Sequence, residues 1–599
     1  MNHRSESKKK ISDLNLFMGL MPYIKPYGHL LITSIFLIFC IIGLDLVLPY
    51  LTKIAIDNFI LSENKGFVKI FFYSTDSFVN LAIVFVCAII LIFIIDFFQS
   101  VLMEYTGQKI ILNLRKKMFE HMLFVPVSFY DKSLVGRIVS RITNDIENMN
   151  EMFSSILVFI FKDMTLMISI MVIMFFYDVK FALATISVVP LIVAAVVFFS
   201  RISRKAFRIM REKIAAMNHS FSENIGGMNI IHTTGISGYI LKKFDKLNYE
   251  NFEAGLLQIK IFGTFMPLIE LMNLICLTII IMYGSVRVHE GDITIGVLVA
   301  FMTYMKMFFR PVRELSEKFN LLQNAFSSAE KILNILNTKK AVDPEKPLPL
   351  PETIETIEFS DINFSYKKDV PVLKNISFNI KKGESIGIAG KTGSGKSSLI
   401  NLLTGFYTPD SGEILINSKP LSEYKIMDIR SKSAIVMQDP VVFSGTVRDN
   451  LLPDSKNKDD AYLEECLKKA GCSFFFEKGA GLDFEIGEGG RPLSSGEKQL
   501  LCIARAFAFD PELIIFDEAT SYIDSESERK IHKAMHRLME KRTSLLIAHR
   551  LSTLGGTDKI LVLKQGRIVE SGSHEELMVK KGEYFGLVTN EKFIDRNIV

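Results

Sequence analysis

The stretch Gly390-Lys391-Thr392-Gly393-Ser394-Gly395-Lys396-Ser397 has the spacing G-x-x-x-x-G-K-[ST] in full. Glycines at these places let successive backbone N–H groups close around phosphate oxygens. Lys396 can neutralise the β- and γ-phosphates of a nucleotide, and Ser397 offers a hydroxyl to magnesium. The motif needs a strand before it and a helix after it. The apolar run Ser385–Ala389 and the helical pattern Ser398–Leu403 supply both, and the helix adds its N-terminal dipole. A glycine-rich turn that binds nothing does not account for the full pattern in that context. Farther along, Glu512-Leu513-Ile514-Ile515-Phe516-Asp517-Glu518 reads as an apolar strand ending in two carboxylates. Asp517 can hold magnesium, directly or through water, and Glu518 can polarise an attacking water. Strands often end in acids, so the pair gains its meaning from following a phosphate loop by a domain-scale interval.

The composition shows what must position these groups. The chain has 599 residues, too many for one ordinary domain, and 49% of them are hydrophobic. A mean hydropathy of +0.27 fits a chain that is half membrane-embedded. The net charge of +5 is small for this size and the basic residues are spread out, so nothing calls for nucleic acid as a partner. Cys40, Cys87, Cys276, Cys466, Cys472 and Cys502 form no C-x-x-C pair. They read as small apolar side chains, not as disulfides or zinc ligands.

Six runs are apolar enough to span a bilayer: about Leu30–Leu51, Leu81–Phe98, Ile156–Phe176, Phe181–Phe199, Phe262–Tyr283 and Ile295–Phe309. The basic N-terminus before Leu30 reads as the flank of a retained anchor, not of a cleaved signal. The connections 99–155 and 200–261 are long and rich in Lys and Arg, while 62–77, 177–180 and 287–294 are short and poor in them. The positive-inside bias therefore predicts a multi-pass protein of the cytoplasmic membrane with the N-terminus, the long loops and the C-terminal half in the cytoplasm. Pro344, Pro347, Pro349 and Pro351 mark a linker. Beyond it, Ser385–Ala389, Ser433–Met437, Leu513–Phe516, Ser544–Ala548 and Lys559–Leu563 read as buried strands alternating with helices. The expected organisation is a cytoplasmic segment (1–27), a six-helix transmembrane domain with long cytoplasmic loops (28–337), a linker (338–356) and an α/β phosphate-loop ATPase domain (357–599).

Arg491-Pro492-Leu493-Ser494-Ser495-Gly496-Glu497-Lys498-Gln499, just before the Asp517-Glu518 strand, resembles the signature motif of ATP-binding-cassette (ABC) proteins. Other marks of that family match in order. Tyr366 resembles the aromatic residue that stacks on adenine, and Gln438 the Q-loop glutamine near magnesium. Glu488 resembles the acidic residue before an exporter's signature, Asp524 the D-loop aspartate, and His549 the switch histidine that contacts the γ-phosphate. In the first half, Phe129-Tyr130-Asp131, Gly136-Arg137, Ser140-Arg141 and Asp145 are similar to the first long cytoplasmic loop of ABC exporters. There the family has a short coupling helix that docks on the ATPase domain. A second coupling helix is expected near Glu223-Asn224-Ile225-Gly226, where the likeness is poorer because Ile231-His232-Thr233-Thr234-Gly235 departs from the family pattern.

The resemblance implies an α-helical membrane domain fused to an ABC ATPase, with one chain being half a transporter. It implies ATP and Mg2+, an ATP site built from Tyr366 and Gly390 through Ser398, and magnesium on Ser397, Gln438 and Asp517. Glu518, His549 and Gln438 are the expected catalytic residues. Leu493, Ser494, Ser495, Gly496 and Glu497 are expected to complete a partner's ATP site. Leu-Ser-Ser-Gly-Glu departs from the family's Leu-Ser-Gly-Gly-Gln, while Lys396, Asp517, Glu518 and His549 are intact. That combination resembles the catalytically competent half of bacterial heterodimeric multidrug exporters; a homodimer that tolerates the altered signature is the alternative. The expected function is ATP-driven export of a hydrophobic or amphipathic molecule (drug-like, lipid or peptide) by alternating access. Import of metal chelates, or an ATP-gated regulator or channel, would use the same architecture.

Ionisable residues within membrane helices are costly and therefore site candidates. Asp163 and Glu270 lie well inside spans, with Asp45 and Asp96 nearer the ends. They either face a cavity that attracts a cationic amphiphile or pair between helices, with Lys162 or Lys306 as candidate partners. Methionines and phenylalanines of the last two spans, such as Met266, Met272, Met282, Met305 and Phe308, suit promiscuous apolar binding but are expected mainly in core and lipid contact.

Overall fold

The protein is described from a computed structural model over residues 13–61, 68–70, 73–75, 78–151, 159–340, 343–367, 369–452, 458–477, 479–517, 525–547 and 551–589. The chain divides into two compact units. One takes the chain up to Leu123 and Leu134–Thr338; the other takes Phe124–Ser133 and the chain from Lys339 on.

The first unit is helical, as lipid demands: only a helix or a closed barrel satisfies every backbone polar group inside a bilayer. Its main elements are α1 (Asp13–Ile24), α2 (Gly28–Ile54), α3 (Phe78–Leu123), α5 (Met164–Tyr177), α6 (Val179–Ile186), α7 (Val189–Gly226), α8 (Ser237–His289) and α9 (Ile295–Leu336); α4 (Val127–Asp131) belongs to the second unit. Among the described residues, Met18–Ile60, Phe78–Leu123, Val179–Gly226, Ser237–His289 and Ile295–Glu314 are long and apolar enough to cross a membrane. The third expected span is helical over 159–177, and its first residues lie outside the described ones. The helices far outrun the expected spans. The 53 residues of α8 reach about 80 Å at 1.5 Å per residue, against about 30 Å of hydrocarbon. Hydrophobicity marks only the part of each helix that meets lipid.

The fourth expected span is not one helix. It breaks at Ser187 and Val188, between α6 and α7. Pro190 follows near the start of α7; it has no N–H to give the carbonyl of Ile186 and its ring would crowd that carbonyl. The unit's core is aromatic where helices cross. Phe181 stacks on Phe301 with ring centres 4.3 Å apart, and Phe199 on Phe265 at 3.7 Å; all four are buried. Met272, Met305 and Phe308 join this core, while Met266 and Met282 face outward. The helix-pairing reading of Glu270 holds with a different partner: Glu270 sits 3.1 Å from Arg313, and Lys162 bonds Asp96 at 2.7 Å. Arg313 lies one helical turn beyond Phe309, past the end of the expected sixth span, which is why it escaped notice.

The second unit holds β1 (Thr356–Phe364), β2 (Leu373–Lys381), β3 (Ser385–Ala389), β4 (Ser411–Ile416), β5 (Lys419–Pro420), β6 (Ser433–Val436), β7 (Leu513–Asp517), β8 (Thr543–Ile547), β9 (Lys559–Lys564) and β10 (Arg567–Gly572). Six strands form one sheet in the order β10-β9-β3-β8-β7-β6, parallel except for β10. Alternate residues of β7 enter different cores. Ile514 and Phe516 pack with a helical layer, and Leu513 and Ile515 with a second, antiparallel sheet in the order β2-β1-β4-β5. Burial on both faces is why the parallel strands read as unbroken apolar runs. The antiparallel sheet was not anticipated. Its strands alternate in burial: in β1, Ile357, Phe359, Ile362 and Phe364 are buried between exposed or half-buried neighbours, so they carry a weaker signal.

The short helix α4, from the first long loop between spans, lies in this unit with the ATPase residues. The Tyr407 hydroxyl donates to the Asp131 carboxylate at 2.5 Å, and the Lys340 ammonium lies over the Phe124 ring at 5.5 Å. Burial, and then the bond to Asp131, push the Tyr407 hydroxyl's pKa up. The segment expected to carry the second coupling helix is the end of α7, followed by a short helix at Met228–Thr234 in the first unit. Tyr407→Phe keeps the ring and removes one hydrogen bond to a carboxylate, worth about 1.5–3 kcal/mol. The expected result is unchanged ATP affinity with reduced stimulation of ATPase activity by transported compounds. Equal stimulation in the variant would show that this contact carries nothing between α4 and the ATPase core.

Candidate ATP-binding and hydrolysis site

The carboxyl ends of the parallel strands share one edge of the sheet, where ligands bind in open α/β folds. Ile388 pairs with Ile547, Asp517 with Ile547 across the other edge of β8, and Phe516 with Val436. The phosphate-loop residues, Asp517 and the segment leading to Gln438 all leave the sheet there.

The loop from Gly390 to Gly395 joins β3 to α10 (Lys396–Leu403). Two glycines are required by contact and by conformation. A Cβ on Gly390 would lie 2.4 Å from the Leu563 carbonyl oxygen, and one on Gly395, at φ +105°, would lie 2.7 Å from Leu373 Cδ2. Lys396 is buried, and its ammonium donates to the Gly390 carbonyl at 2.7 Å and the Lys391 carbonyl at 3.3 Å. Ser394 Oγ is buried without a hydrogen-bond partner inside the loop, whereas Lys391, Thr392, Gly393 and Ser397 are exposed. An orphaned hydroxyl, a buried ammonium and a glycine cradle fit a bound polyphosphate.

Asp517 ends β7 beside this loop, and its carboxyl is hydrogen-bonded to the Ser397 side chain. Burial pushes the Asp517 pKa above the usual carboxylate range, while Ser397 and the Lys396 ammonium pull it back. Burial pushes the Lys396 ammonium downward, and Asp517 opposes that. Each group therefore favours its neighbour's charged form. A hydroxyl and a carboxylate meeting beside a phosphate loop are a donor set that suits magnesium.

Tyr366 is the expected adenine platform, and its ring is braced from the side. Phe364 and Tyr407 meet it edge-on, with centres 4.8 Å and 5.0 Å away. Its hydroxyl donates to Ser398 Oγ at 3.1 Å and accepts from Asn401 Nδ2 at 2.9 Å. Ser398 thus ties the phosphate helix to the aromatic residue. Tyr366 remains 38% exposed, which leaves surface for stacking. Gln438 is exposed just beyond β6. The buried Gln499 holds that loop by donating to the Met437 carbonyl at 3.2 Å.

Leu493 is buried ahead of α11 (Ser495–Phe509), and Ser494 caps that helix. The Ser494 hydroxyl accepts from the Glu497 N–H at 3.2 Å, and the Glu497 carboxylate accepts from the Ser494 N–H at 2.8 Å. Ser495 is exposed and Gly496 is buried in the first turn, and Glu488 is exposed in a short turn nearby. Glu518, Asp524 and His549 lie outside the described residues. Sequence reading missed Asn401, Tyr407 and Gln499. Asn401 lies five residues past Lys396 on the same helix, and Gln499 stands at the end of the signature-like stretch; Tyr407 left no signal.

Residues 31–312 match the family described as ABC transporter transmembrane region, and residues 373–521 the family described as ABC transporter. The chain is 34% identical, over 82% of its length and 74% of the relative's, to the probable multidrug resistance ABC transporter ATP-binding/permease protein YheH of Bacillus subtilis (strain 168). It is 33% identical to a putative multidrug export ATP-binding/permease protein of Staphylococcus aureus (strain NCTC 8325 / PS 47), over 94% of this chain and 98% of that one. The ATP-dependent lipid A-core flippase of Syntrophus aciditrophicus (strain SB) is 31% identical over 96% and 94%. A bacterial Atm1-family ABC exporter structure has the same fold, with a TM-score of 0.77, 24% identity, and coverage of 94% of this chain and 98% of that one.

This chain belongs to the ABC transporters. It is a multi-pass membrane protein with a cytoplasmic ATPase domain, and it couples ATP hydrolysis to transport. As an ABC exporter it works as a dimer with ATP and a substrate. Removing the Tyr366 ring tests the nucleotide end of the transporter's site. Tyr366→Ala should weaken ATP binding by about 1–2 kcal/mol, the scale of an aromatic stacking contact. Tyr366→Phe keeps the face and should lose much less. Equal affinity in all three proteins, measured by calorimetry or nucleotide fluorescence, would take the stacking role from Tyr366.

Proposed function

We propose that this chain is the hydrolysis-competent half of a heterodimeric exporter, which moves a hydrophobic or amphipathic compound outward across the cell membrane. The membrane domain is residues 28–337 and the ATPase domain residues 357–599, joined by the linker 338–356. Relatives named for multidrug export and for lipid A-core flipping support an apolar or amphipathic substrate.

Lys396 and the loop N–H groups hold the β- and γ-phosphates. Ser397, Asp517 and Gln438 are the residues that would hold Mg2+, whose charge offsets that developing on the phosphoryl oxygens. Glu518, next in the chain after Asp517, takes the proton of the attacking water. His549 is the switch histidine for the γ-phosphate, Asp524 the D-loop aspartate, and Tyr366 stacks on adenine. ATP binding brings two ATPase domains together. Each site then uses one chain's phosphate loop and the other chain's signature.

One observation carries the heterodimer: the capping box between Ser494 and Glu497. A signature helix contributes to ATP binding through free N–H groups and the positive end of its dipole. Here the Glu497 carboxylate accepts one of those N–H groups and sets a negative charge at the place meant for phosphate. Ser495 adds a side chain in the same turn. This chain's own catalytic groups are intact, so its weak signature faces the partner's site while the partner's signature completes this one.

Two tests follow. Glu518→Gln should keep ATP binding and cut hydrolysis by about a hundredfold or more, since the amide accepts no proton; wild-type turnover in that complex would refute the base assignment. Purified alone, the chain should hydrolyse ATP poorly, and mixing with a neighbouring-gene partner should restore activity. Full activity in a homodimer with two equivalent hydrolysing sites would refute the division of labour. ATP-dependent uptake into inverted vesicles is the direction expected for export.

A further inference from the structure

Two cavities adjoin between the helices of the first unit, and Met103 of α3 lines both. The larger, about 760 Å3, is bordered by charged side chains of α2, α3, α9 and the turn before α5. The smaller, about 300 Å3, lies between α1 and α2 and is lined mostly by apolar groups, among them Ile24, Leu31, Ile35, Ile38 and Phe161.

Most charges of the larger cavity are already matched. Asp96 accepts from Lys162 at 2.7 Å, Glu104 accepts from Asn150 at 2.9 Å, and Arg310 lies 3.9 Å from Glu314. Asp45 and Asp163 are different: neither carboxylate has a hydrogen bond or close ion pair with a described residue, and Lys162 and Arg310, joined at Asp163 by Lys318, offset part of their charge only from a distance. A second, independent feature points to a ligand. Gln99 lines the same cavity, is 2% exposed, and its side-chain N–H2 has no hydrogen-bond partner. Unmatched carboxylates and an unmatched amide donor are costly inside a membrane domain. A ligand that relieves both brings a positive charge and, close to it, an acceptor oxygen. An apolar cavity adjoining the charged one suits a positive charge carried on an organic molecule. From Asp45 to Leu31, α2 runs about 20 Å at 1.5 Å per residue, which leads from the charged cavity into the apolar one. Met103, between them, is a flexible side chain that yields to an alkyl chain.

We propose that the two cavities form one subsite for a single-tailed amphiphile with a cationic head. The head sits between Asp45 and Asp163, an acceptor oxygen near it meets Gln99, and the tail passes Met103 into the groove between α1 and α2. The inference rests on the export reading above and names the substrate class.

Acylcholines carry all three features: a quaternary ammonium, an ester carbonyl beside it, and a tail of chosen length. Their neohexyl esters replace the nitrogen with carbon and are neutral but equal in shape. The assembled transporter, in nanodiscs for ATPase stimulation and in inverted vesicles for uptake, is expected to respond to acylcholines at concentrations that fall as the tail lengthens. The neutral esters should need about tenfold more or beyond, the loss of one modest charge contact. Asp45→Asn with Asp163→Asn should erase that difference without altering the response to the neutral esters, and Asp45→Glu with Asp163→Glu should keep it. Gln99→Leu should remove the preference for acylcholines over alkyltrimethylammonium ions of equal length. Equal response to the charged and neutral esters in the unmodified transporter would overturn the proposal, whatever the variants do. Uptake of neutral or anionic amphiphiles but not acylcholines would leave export standing and remove the cationic head. Uptake of no amphiphile of any charge, with Glu518-dependent hydrolysis intact, would remove the export reading and this one together.

Discussion

The strand Ser385–Ala389 has a parallel neighbour on each edge and buried residues on both faces. Its end cannot shift without breaking two hydrogen-bond ladders and opening two cores. The phosphate loop hangs from that end, so Lys396 and Ser397 are set by a strand held on both edges and both faces. Asp517 ends another strand of the same sheet and meets Ser397 across the edge. Hydrolysis depends on placing a carboxylate, a hydroxyl and an ammonium against one phosphate chain to within a fraction of an ångström. A sheet buried on both sides supplies that rigidity, and loops alone would not.

From the same edge a line of contacts runs outward. The phosphate helix holds the Tyr366 hydroxyl through Ser398 and Asn401, the Tyr366 ring meets Tyr407 edge-on, and Tyr407 holds Asp131 of α4. The segment carrying Asp131 is continuous in the chain with the helices on either side of it. Tyr366 and the loop between two spans therefore share one aromatic cluster.

The membrane unit obeys a different constraint. A charge within it must be matched by another charge, by hydrogen bonds, or by a ligand. Lys162 with Asp96 and Arg313 with Glu270 are matched by the protein itself. The outer ends follow the same rule, where Arg287 is bonded to Asp178 at 2.8 Å and also to Asp292. Asp178 in turn caps α6 by accepting from the Phe181 N–H at 2.6 Å, so one arginine ties a helix start to the end of α8. Against that pattern, the unmatched groups around the larger cavity stand out as places held for something else.

The sequence by itself determined the parts that short-range geometry decides. The phosphate loop is a run of consecutive backbone conformations, the membrane spans are runs of apolar residues, and the parallel strands are buried on both faces and so read as continuous hydrophobic segments. Asp517 was legible because it closes such a strand. Tertiary structure decided what depends on residues far apart in the chain. The antiparallel sheet over 356–420 stayed hidden because its strands are buried on one face and alternate. Glu270 finds Arg313 and not Lys306 because helix rotation, not sequence distance, selects the partner. Tyr407 joins Asp131 across 276 positions, a pairing no local pattern encodes. The Ser494–Glu497 capping box lies between: its spacing was visible, but only folding shows that the carboxylate turns back onto the helix start. Local patterns choose an element's kind; the packing of elements chooses which side chains meet, because burial rewards contact without regard to position in the chain.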